Sequence, residues 1–293
     1  MSKKIGLVGI YFPGAYDALH ENVPEGFELV DALSPEAYGN LADCEYLISR
    51  LDIDPDIINH TPNVKFWQRW GAGFDHVDLK AWGERGIPIA TCPGVNSGIV
   101  AELAIMLMLA GYRNLLQINR QLRAGHWPRT EYFGRSFMIK GKTVGVLGLG
   151  HIGKKVAALA TAFGANVIYY DIVRQTEQEE QFGYRFVDFD TLLKESDIFT
   201  IHCPLNEETR GLIGAAQFAQ MKPTAMLINT ARGPIVDEAA LIDALTTGKI
   251  ATAGLDTYEH EPLPKDHPLL TLDNVVASAH AGGNTKDNDI NMV

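Results

Sequence analysis

Short apolar runs punctuate residues 1–90 at regular distances: Ile5–Val8, Phe27–Val30, Tyr46–Ile48, Val64–Trp67 and Ile87–Ala90. Between them lie turn residues and stretches of helical period such as Pro35–Leu41 and Leu79–Arg85. Alternation of this kind predicts βα units on a parallel sheet, and five strands make a small flavodoxin-like domain. Residues 96–125 break the rhythm. Ile99, Val100, Leu103, Ala104, Leu107 and Met108 recur at helical spacing with no strand-like run, which predicts one long helix connecting two halves. A loop rich in aromatics and arginine follows, HWPRTEYFGRSFMIKG.

From Lys142 the alternation restarts with longer runs. Strands are predicted at Thr143–Leu147, Asn166–Tyr170, Asp197–His202, Ala225–Asn229, Ala251–Asp256 and Asn274–Ser278. Helices are predicted at Ile152–Phe163, Phe189–Glu195, Gly214–Met221 and Glu238–Thr247. That inventory fits a doubly wound dinucleotide fold. The pattern therefore predicts an α/β protein of two doubly wound parallel-sheet domains, a flavodoxin-like one and a Rossmann one. The first is expected over 1–97, with 284–293 a candidate return to it, and the second over 98–283, including the long helix.

Composition narrows the class. With 293 residues, 46% hydrophobic and 21% charged, the chain suits a globular protein of two domains. The apolar stretch Ile99–Gly111 is too short to span a bilayer and contains Glu102, and no signal peptide is legible, so a cytoplasmic protein without a membrane partner is expected. The net charge of −11 and the absence of a Lys/Arg-rich run argue against a nucleic-acid partner. An anionic small molecule would need positive groups concentrated inside its site. Cys44, Cys92 and Cys203 form no CxxC pair and read as reduced thiols, and no metal site is expected.

The strand Thr143–Leu147 runs into Gly148-Leu149-Gly150-His151-Ile152-Gly153, where a helix opens. A GxGxxG alone could be no more than a tight turn, but strand before and helix after are the context that a dinucleotide fingerprint requires. Gly148 would make the turn, Gly150 would let the backbone approach a pyrophosphate, and Gly153 would let helix and strand pack closely. The helix N-terminus offers unpaired N–H groups to the phosphates. Asp171 ends the second strand, where an acidic residue accepts from the adenosine ribose hydroxyls and repels a 2′-phosphate. NAD, rather than NADP, is the expected cofactor, with Arg174 the nearby cation that would offset this repulsion if it folded back.

Three residues stand at or just beyond predicted strand ends, where this fold collects its chemistry: Arg232, Glu261 and His280. Reduction of a 2-keto acid needs a carboxylate anchor, a proton for the carbonyl oxygen, and a group that keeps the proton donor charged. Arginine suits the first through its planar fork, histidine the second through its near-neutral pKa, and a carboxylate beside the histidine the third. Spacing alone leaves open a helix cap or ion pair for Arg232, a solvated loop carboxylate for Glu261, and an ordinary histidine at 280.

Longer blocks carry a resemblance. WGAGFDHVDL, GKTVGVLGLGHIGKKVA, HCPLNEETRGLI, LINTARGPIVDEAAL, GLDTYEHEPL and SAHAGG run nearly end to end, and the chain they compose resembles the D-isomer-specific 2-hydroxyacid dehydrogenases, the family of formate, glycerate, phosphoglycerate and D-lactate dehydrogenases. The resemblance implies an NAD-dependent oxidoreductase that moves a hydride between nicotinamide and C2 of a small 2-hydroxy or 2-keto acid of D configuration, with a cleft between its domains and a homodimer built on the cofactor domain. It implies that Arg232 binds substrate, that His280 is the acid/base and Glu261 its support, and that Asp256 binds the nicotinamide carboxamide. The Ala72 and Gly73 amides would contact the substrate carboxylate. His151, Ile152, Cys203, Thr230 and Gly282 complete the implied cofactor contacts.

The chain departs from the family's pattern in three places. Ala279 stands where the family commonly has Pro, His151 stands where it commonly has Arg, and only a short tail, 281–293, follows His280. The last implies either a truncated product or a substrate domain without the helix that usually returns to it. Pro13, Trp70, Phe74, Cys92, Trp127 and Tyr132 are candidates for setting pocket size, which leaves the particular 2-hydroxy acid open. A non-catalytic, NAD-responsive corepressor of the same fold is the alternative from another class.

Overall fold

The computed structural model describes residues 2–50, 53–75 and 77–293, so His76 of the WGAGFDHVDL block lies outside it. The chain divides into two compact units, 1–96 with 284–293, and 97–283.

In the first unit five parallel strands, β1 (Lys3–Val8), β2 (Phe27–Ala32), β3 (Tyr46–Ser49), β4 (Phe66–Arg69) and β5 (Ile89–Ala90), form a sheet in the order β2-β1-β3-β4-β5. That is the predicted flavodoxin-like order. Helices α1 (Pro13–Glu21) and α2 (Leu79–Glu84) flank it, and the core gathers Leu41, Leu47, Trp67 and Trp82. The helix predicted at Pro35–Leu41 is instead a 3-10 helix over Pro35–Asp43. Gly39 and Asn40, both weak helix formers, sit in its middle.

The second unit opens with α3 (Ser97–Tyr112) and α4 (Leu115–Arg123), two helices where one was predicted. They are bent by 63° at a break where Asn114 adopts a left-handed φ of 50°. Apolar on nearly every side, α3 is largely buried, whereas α4 buries no residue. Among the described residues no single helix is long and apolar enough to cross a membrane.

Seven parallel strands follow: β6 (Thr143–Leu147), β7 (Asn166–Tyr170), β8 (Arg185–Phe186), β9 (Ile198–Ile201), β10 (Met226–Asn229), β11 (Thr252–Leu255) and β12 (Val275–Ala277). Their order is β12-β11-β10-β9-β6-β7-β8, a doubly wound sheet that reverses beside β6. Helices α5 (His151–Ala162), α6 (Thr176–Phe182), α7 (Phe189–Glu195), α8 (Ala215–Phe218) and α9 (Glu238–Thr246) accompany it. Four-residue β9 and β10 are buried throughout, as strands covered on both faces must be. The charged run TEQEEQF hid α6 from a search for apolar faces, and β8, two residues long, is too short to show a period. The helix α8 covers only half of the segment predicted for it.

The tail forms α10 (Lys286–Met292), which packs on α1 in the first unit. A returning helix is therefore present, contrary to one of the two expectations drawn from the short tail. Asp289 on α10 meets Arg50 at 3.0 Å, with side chains only 6% and 5% exposed, and the Arg50 guanidinium lies 4.4 Å from the centre of the Phe12 ring.

Candidate active site

Every site residue predicted in the second unit lies in the loops after strand C-termini or at the start of the helix that follows. Gly148 follows β6, Asp171 follows β7, Cys203 lies beyond β9, and Thr230 and Arg232 follow β10. Asp256 comes directly after β11, and His280 and Gly282 come after β12. A parallel sheet offers all its strand ends at one edge, so residues far apart in sequence reach one place.

At the glycine turn, Gly148 has φ of +89°, and its N–H donates to the Tyr170 carbonyl at 2.9 Å. A Cβ there would lie 2.7 Å from the Cys203 nitrogen, so only glycine lets the turn pass. A Cβ on Gly150, the N-cap of α5, would meet nothing within 4 Å. That open space beside a helix N-terminus is what a pyrophosphate requires, and the site fits a dinucleotide on this ground. His151 is exposed at the first position of α5, Ile152 is half-buried, and Gly153 is buried with the Gly148 carbonyl against it.

Asp171 accepts from the Leu149 N–H at 2.7 Å and the Val173 N–H at 3.0 Å, fixing its carboxylate beside the glycine turn. Arg174 does not fold back toward it. Its guanidinium is held by Glu179 through two hydrogen bonds, of 2.8 and 2.7 Å. Burial, reinforced by the Asp171 charge, pushes the Cys203 thiol up to about 11, which leaves it an inert neutral wall. Thr230 is buried.

The imidazole predicted as acid/base sits on a positive-φ residue. His280 has φ of 49°, rare outside glycine and costing about 1 kcal/mol. Asp256, 1% exposed, holds this conformation in place. Its carbonyl accepts from the His280 N–H at 2.8 Å, and its carboxylate accepts from Ser278 Oγ (2.5 Å), Ala281 N–H (2.8 Å) and Gly282 N–H (2.9 Å). Asp256 thus organises the whole turn from 278 to 282, in addition to any contact with a cofactor.

The geometry brings His280 and Glu261 together. His280 Nδ1 lies 2.6 Å from Glu261 Oε2, which leaves Nε2 as the free end of the ring. The Tyr258 N–H donates to Glu261 Oε1 at 2.9 Å, and the Tyr258 hydroxyl donates to the Ser278 carbonyl at 2.7 Å, tying the two loops together. The Glu261 hydrogen bond raises the His280 pKa above its ordinary value, against the opposing effects of burial and of the Arg232 charge. Burial alone would raise the Glu261 pKa, but the His280 hydrogen bond, the Tyr258 N–H and the charges of His280 and Arg232 outweigh it and hold the carboxyl low. The pair favours the ionised form of Glu261 and the protonated form of His280, with Arg232 close enough for its charge to act on both. The histidine beyond β9, His202, is no rival acid: burial drives its pKa down to about 3.

Arg232 is aimed by its turn. Asn229, 1% exposed, donates to the Arg232 carbonyl at 2.8 Å and accepts from the Ala231 N–H at 3.0 Å. The next residue, Gly233, passes so near the Tyr258–Glu259 peptide that a Cβ would stand 1.9 Å from the Tyr258 carbonyl carbon. Sequence reasoning missed Gly233, Asn229, Tyr258 and Ser278. All four stand within three residues of a predicted site residue, and that adjacency was the available signal.

In the first unit, Ala72 and Gly73 lie half-buried in the loop after β4, where the Gly73 carbonyl accepts from Arg69 Nε at 3.3 Å. Of the pocket-size candidates, Trp70 packs edge-on against Tyr11 with ring centres 5.5 Å apart, Gln68 donates to the Cys92 sulfur at 3.3 Å, and Phe74 is half-exposed. Tyr132 accepts from Gln121 at 3.0 Å, and Trp127 is exposed.

Comparison with known proteins bears on the family. Residues 105–282 match the family described as D-isomer specific 2-hydroxyacid dehydrogenase, NAD binding domain. The chain is 44% identical over 244 residues to a D-3-phosphoglycerate dehydrogenase of Archaeoglobus fulgidus, covering 83% of this chain and 46% of that one, so it spans about half that relative's length. It is 42% identical over 255 residues to a glyoxylate reductase of Thermofilum pendens, covering 85% of this chain and 75% of that one. Among solved structures, the apo D-mandelate dehydrogenase of Rhodotorula graminis superposes with a TM-score of 0.88 at 30% identity, covering 100% of this chain and 92% of that one. The NAD+-bound D-lactate dehydrogenase of Lactobacillus jensenii gives 0.81 at 31% identity, covering 99% and 93%. The glycine turn shaped for a pyrophosphate, the Glu261–His280 contact and these likenesses have one reading: the chain belongs to the D-isomer specific 2-hydroxyacid dehydrogenase family.

Proposed function

We propose that this chain reduces a small 2-keto acid to the D-2-hydroxy acid, with Arg232, Glu261 and His280 as its catalytic residues. The observation that carries the reading is the 2.6 Å Glu261–His280 contact, which favours the charged imidazole within the electrostatic reach of Arg232. Bound NADH supplies the hydride to C2. Arg232 binds the carboxylate and the carbonyl oxygen with its fork, polarising the C=O bond and stabilising the negative charge that develops on oxygen. His280 delivers a proton from Nε2 to that oxygen, and Glu261 holds the ring in place and favours its charged form. The Ala72 and Gly73 amides are part of this proposal as further donors to the substrate carboxylate, on the strength of the family resemblance.

Gly148, Gly150, His151, Ile152 and Gly153 are assigned to the pyrophosphate and Asp171 to the adenosine ribose. Cys203, Thr230, Asp256 and Gly282 are assigned to the nicotinamide half. Supporting this is their common place at the strand ends. In the test, NADH oxidation is followed with glyoxylate, hydroxypyruvate, pyruvate and a bulkier 2-keto acid. Turnover with at least one of the small acids is expected; turnover with none refutes the reading.

We further propose a cytoplasmic homodimer with no nucleic-acid or membrane partner. A groove of about 740 Å³ between α3, α4 and α5 is walled by Ile105, Met106, Leu109, Leu115, Ile118 and Phe163. Helix α4 buries nothing of its own, which supports a second copy of the chain as its cover. Sedimentation should give a dimer for the parent and a monomer for Met106→Glu/Leu115→Glu; a monomeric parent contradicts the proposal.

A further inference from the structure

The loop after β7 holds Asp171 and Arg174 at the strand end where this fold binds an adenosine ribose. Arg174 follows Asp171 by three residues and is the only cation among residues 171–183. In this fold an arginine near such a position accommodates the 2′-phosphate of NADP.

In the structure Glu179 on α6 holds the Arg174 guanidinium. Its Oε1 and Oε2 take the Nε and Nη2 donors of Arg174 at 2.8 and 2.7 Å, the two-pronged geometry in which a guanidinium–carboxylate pair is strongest. The clamp is itself braced. The hydroxyl of buried Tyr169, on β7, donates to Glu179 Oε1 at 2.6 Å and accepts from the Gln175 N–H at 2.8 Å, and the guanidinium lies 5.4 Å from the Phe186 ring centre. The Glu179 side chain is only 18% exposed, so water competes weakly for it. The Arg174 fork and the Tyr169 hydroxyl hold its carboxyl down to about 2, so it stays ionised at any working pH. Residues 172 and 173, between Asp171 and the clamped arginine, are the exposed apolar Ile172 and Val173, whose side chains offer nothing to an anion.

We propose that Glu179 is a specificity-determining residue: by holding Arg174 in a fork, it leaves the Asp171 carboxylate unopposed and so restricts the site to an unphosphorylated ribose. The inference rests on the assignment of Asp171 to that ribose. It adds a residue that touches no part of the cofactor and acts through another side chain.

The experiment measures binding directly, by calorimetry with AMP and adenosine 2′,5′-bisphosphate as a pair differing only in the 2′-phosphate, and with NADH and NADPH. Proteins are the parent, Glu179→Gln, Glu179→Ala, Glu179→Ala/Arg174→Ala and Asp171→Ala. Glu179→Gln keeps an acceptor for Tyr169 while removing the charge, so it decides the matter if the alanine variant fails to fold. Expected is a gain of about tenfold in affinity for the bisphosphate relative to AMP in both Glu179 variants, a free-energy change of about 1.4 kcal/mol. Adding Arg174→Ala should cancel it, and NADPH should follow the bisphosphate. An unchanged ratio in the Glu179 variants, or a gain that survives Arg174→Ala, overturns the inference alone, provided Asp171→Ala weakens AMP. An Asp171→Ala protein that binds AMP as the parent does overturns the ribose assignment and the inference with it.

Discussion

Replacing Glu261 with glutamine isolates what the carboxylate does for His280. Glutamine keeps the shape, an acceptor for the Tyr258 N–H and a polar atom opposite Nδ1, and removes only the charge. In the parent, the Glu261 hydrogen bond raises the His280 pKa above its ordinary value. Both side chains are partly open to solvent, 46% and 34% exposed, so screening reduces the pair to the lower range for charged hydrogen bonds, about 1.5 kcal/mol. Loss of the charge should therefore lower the His280 pKa. The sign follows from the chemistry. Keto-acid reduction needs imidazolium, so kcat/KM holds at low pH and falls as pH rises through the His280 pKa. In Glu261→Gln that fall should begin at lower pH, giving a loss of up to about tenfold on the alkaline side, the rate equivalent of about 1.5 kcal/mol, and near-parity on the acid side. Oxidation of the hydroxy acid needs neutral imidazole, so its limb should move the same way and the variant should gain at low pH. The assay is the pH profile of kcat/KM with glyoxylate and NADH. A limb that stays in place, or a uniform loss at every pH, would refute the role given to the pair.

Further outcomes concern the anchor, a glycine and the buried ion pair. Arg232→Lys should raise KM for the keto acid steeply, because a point charge replaces a fork, and an unchanged KM would remove Arg232 from the substrate. Gly233→Ala should cut turnover while leaving NADH affinity in place, since its Cβ collides with the Tyr258 peptide and shifts the Arg232 turn; parent-like turnover would show the close approach to be dispensable. Asp289→Ala strands a buried Arg50 charge and should destabilise the first unit by about 3–5 kcal/mol, read from denaturant unfolding by tryptophan fluorescence; an unmoved midpoint contradicts that.

How far the chain could be read in advance depended on whether the deciding physics was local. Strands such as Thr143–Leu147 and Asn166–Tyr170 were legible to the residue, because buried parallel strands write themselves as unbroken apolar runs between turns. The break at Asn114 was not, because the apolar period carries through it and only a left-handed backbone marks it. Arg232, Glu261 and His280 were legible as residue types suited to the reaction, but that Glu261 and His280 touch depends on the order of β10, β11 and β12, which no short window contains. Asp256 showed only as a carboxylate at a strand end. Its hold on residues 278–282 became visible once β11 and β12 lay side by side. The Arg174–Glu179 fork escaped notice because α6 was unforeseen and the two residues could not be placed face to face.

The most direct test of His280 as proton donor in a hydride transfer to C2 uses NADH deuterated at the transferable C4 position, with pyruvate as acceptor, and parent and His280→Ala proteins side by side. The parent should yield D-lactate carrying one deuterium at C2, and the variant should make the same product roughly two to four orders of magnitude more slowly while binding NADH as before. Lactate without the label, or a variant that turns over as fast as the parent, would contradict it.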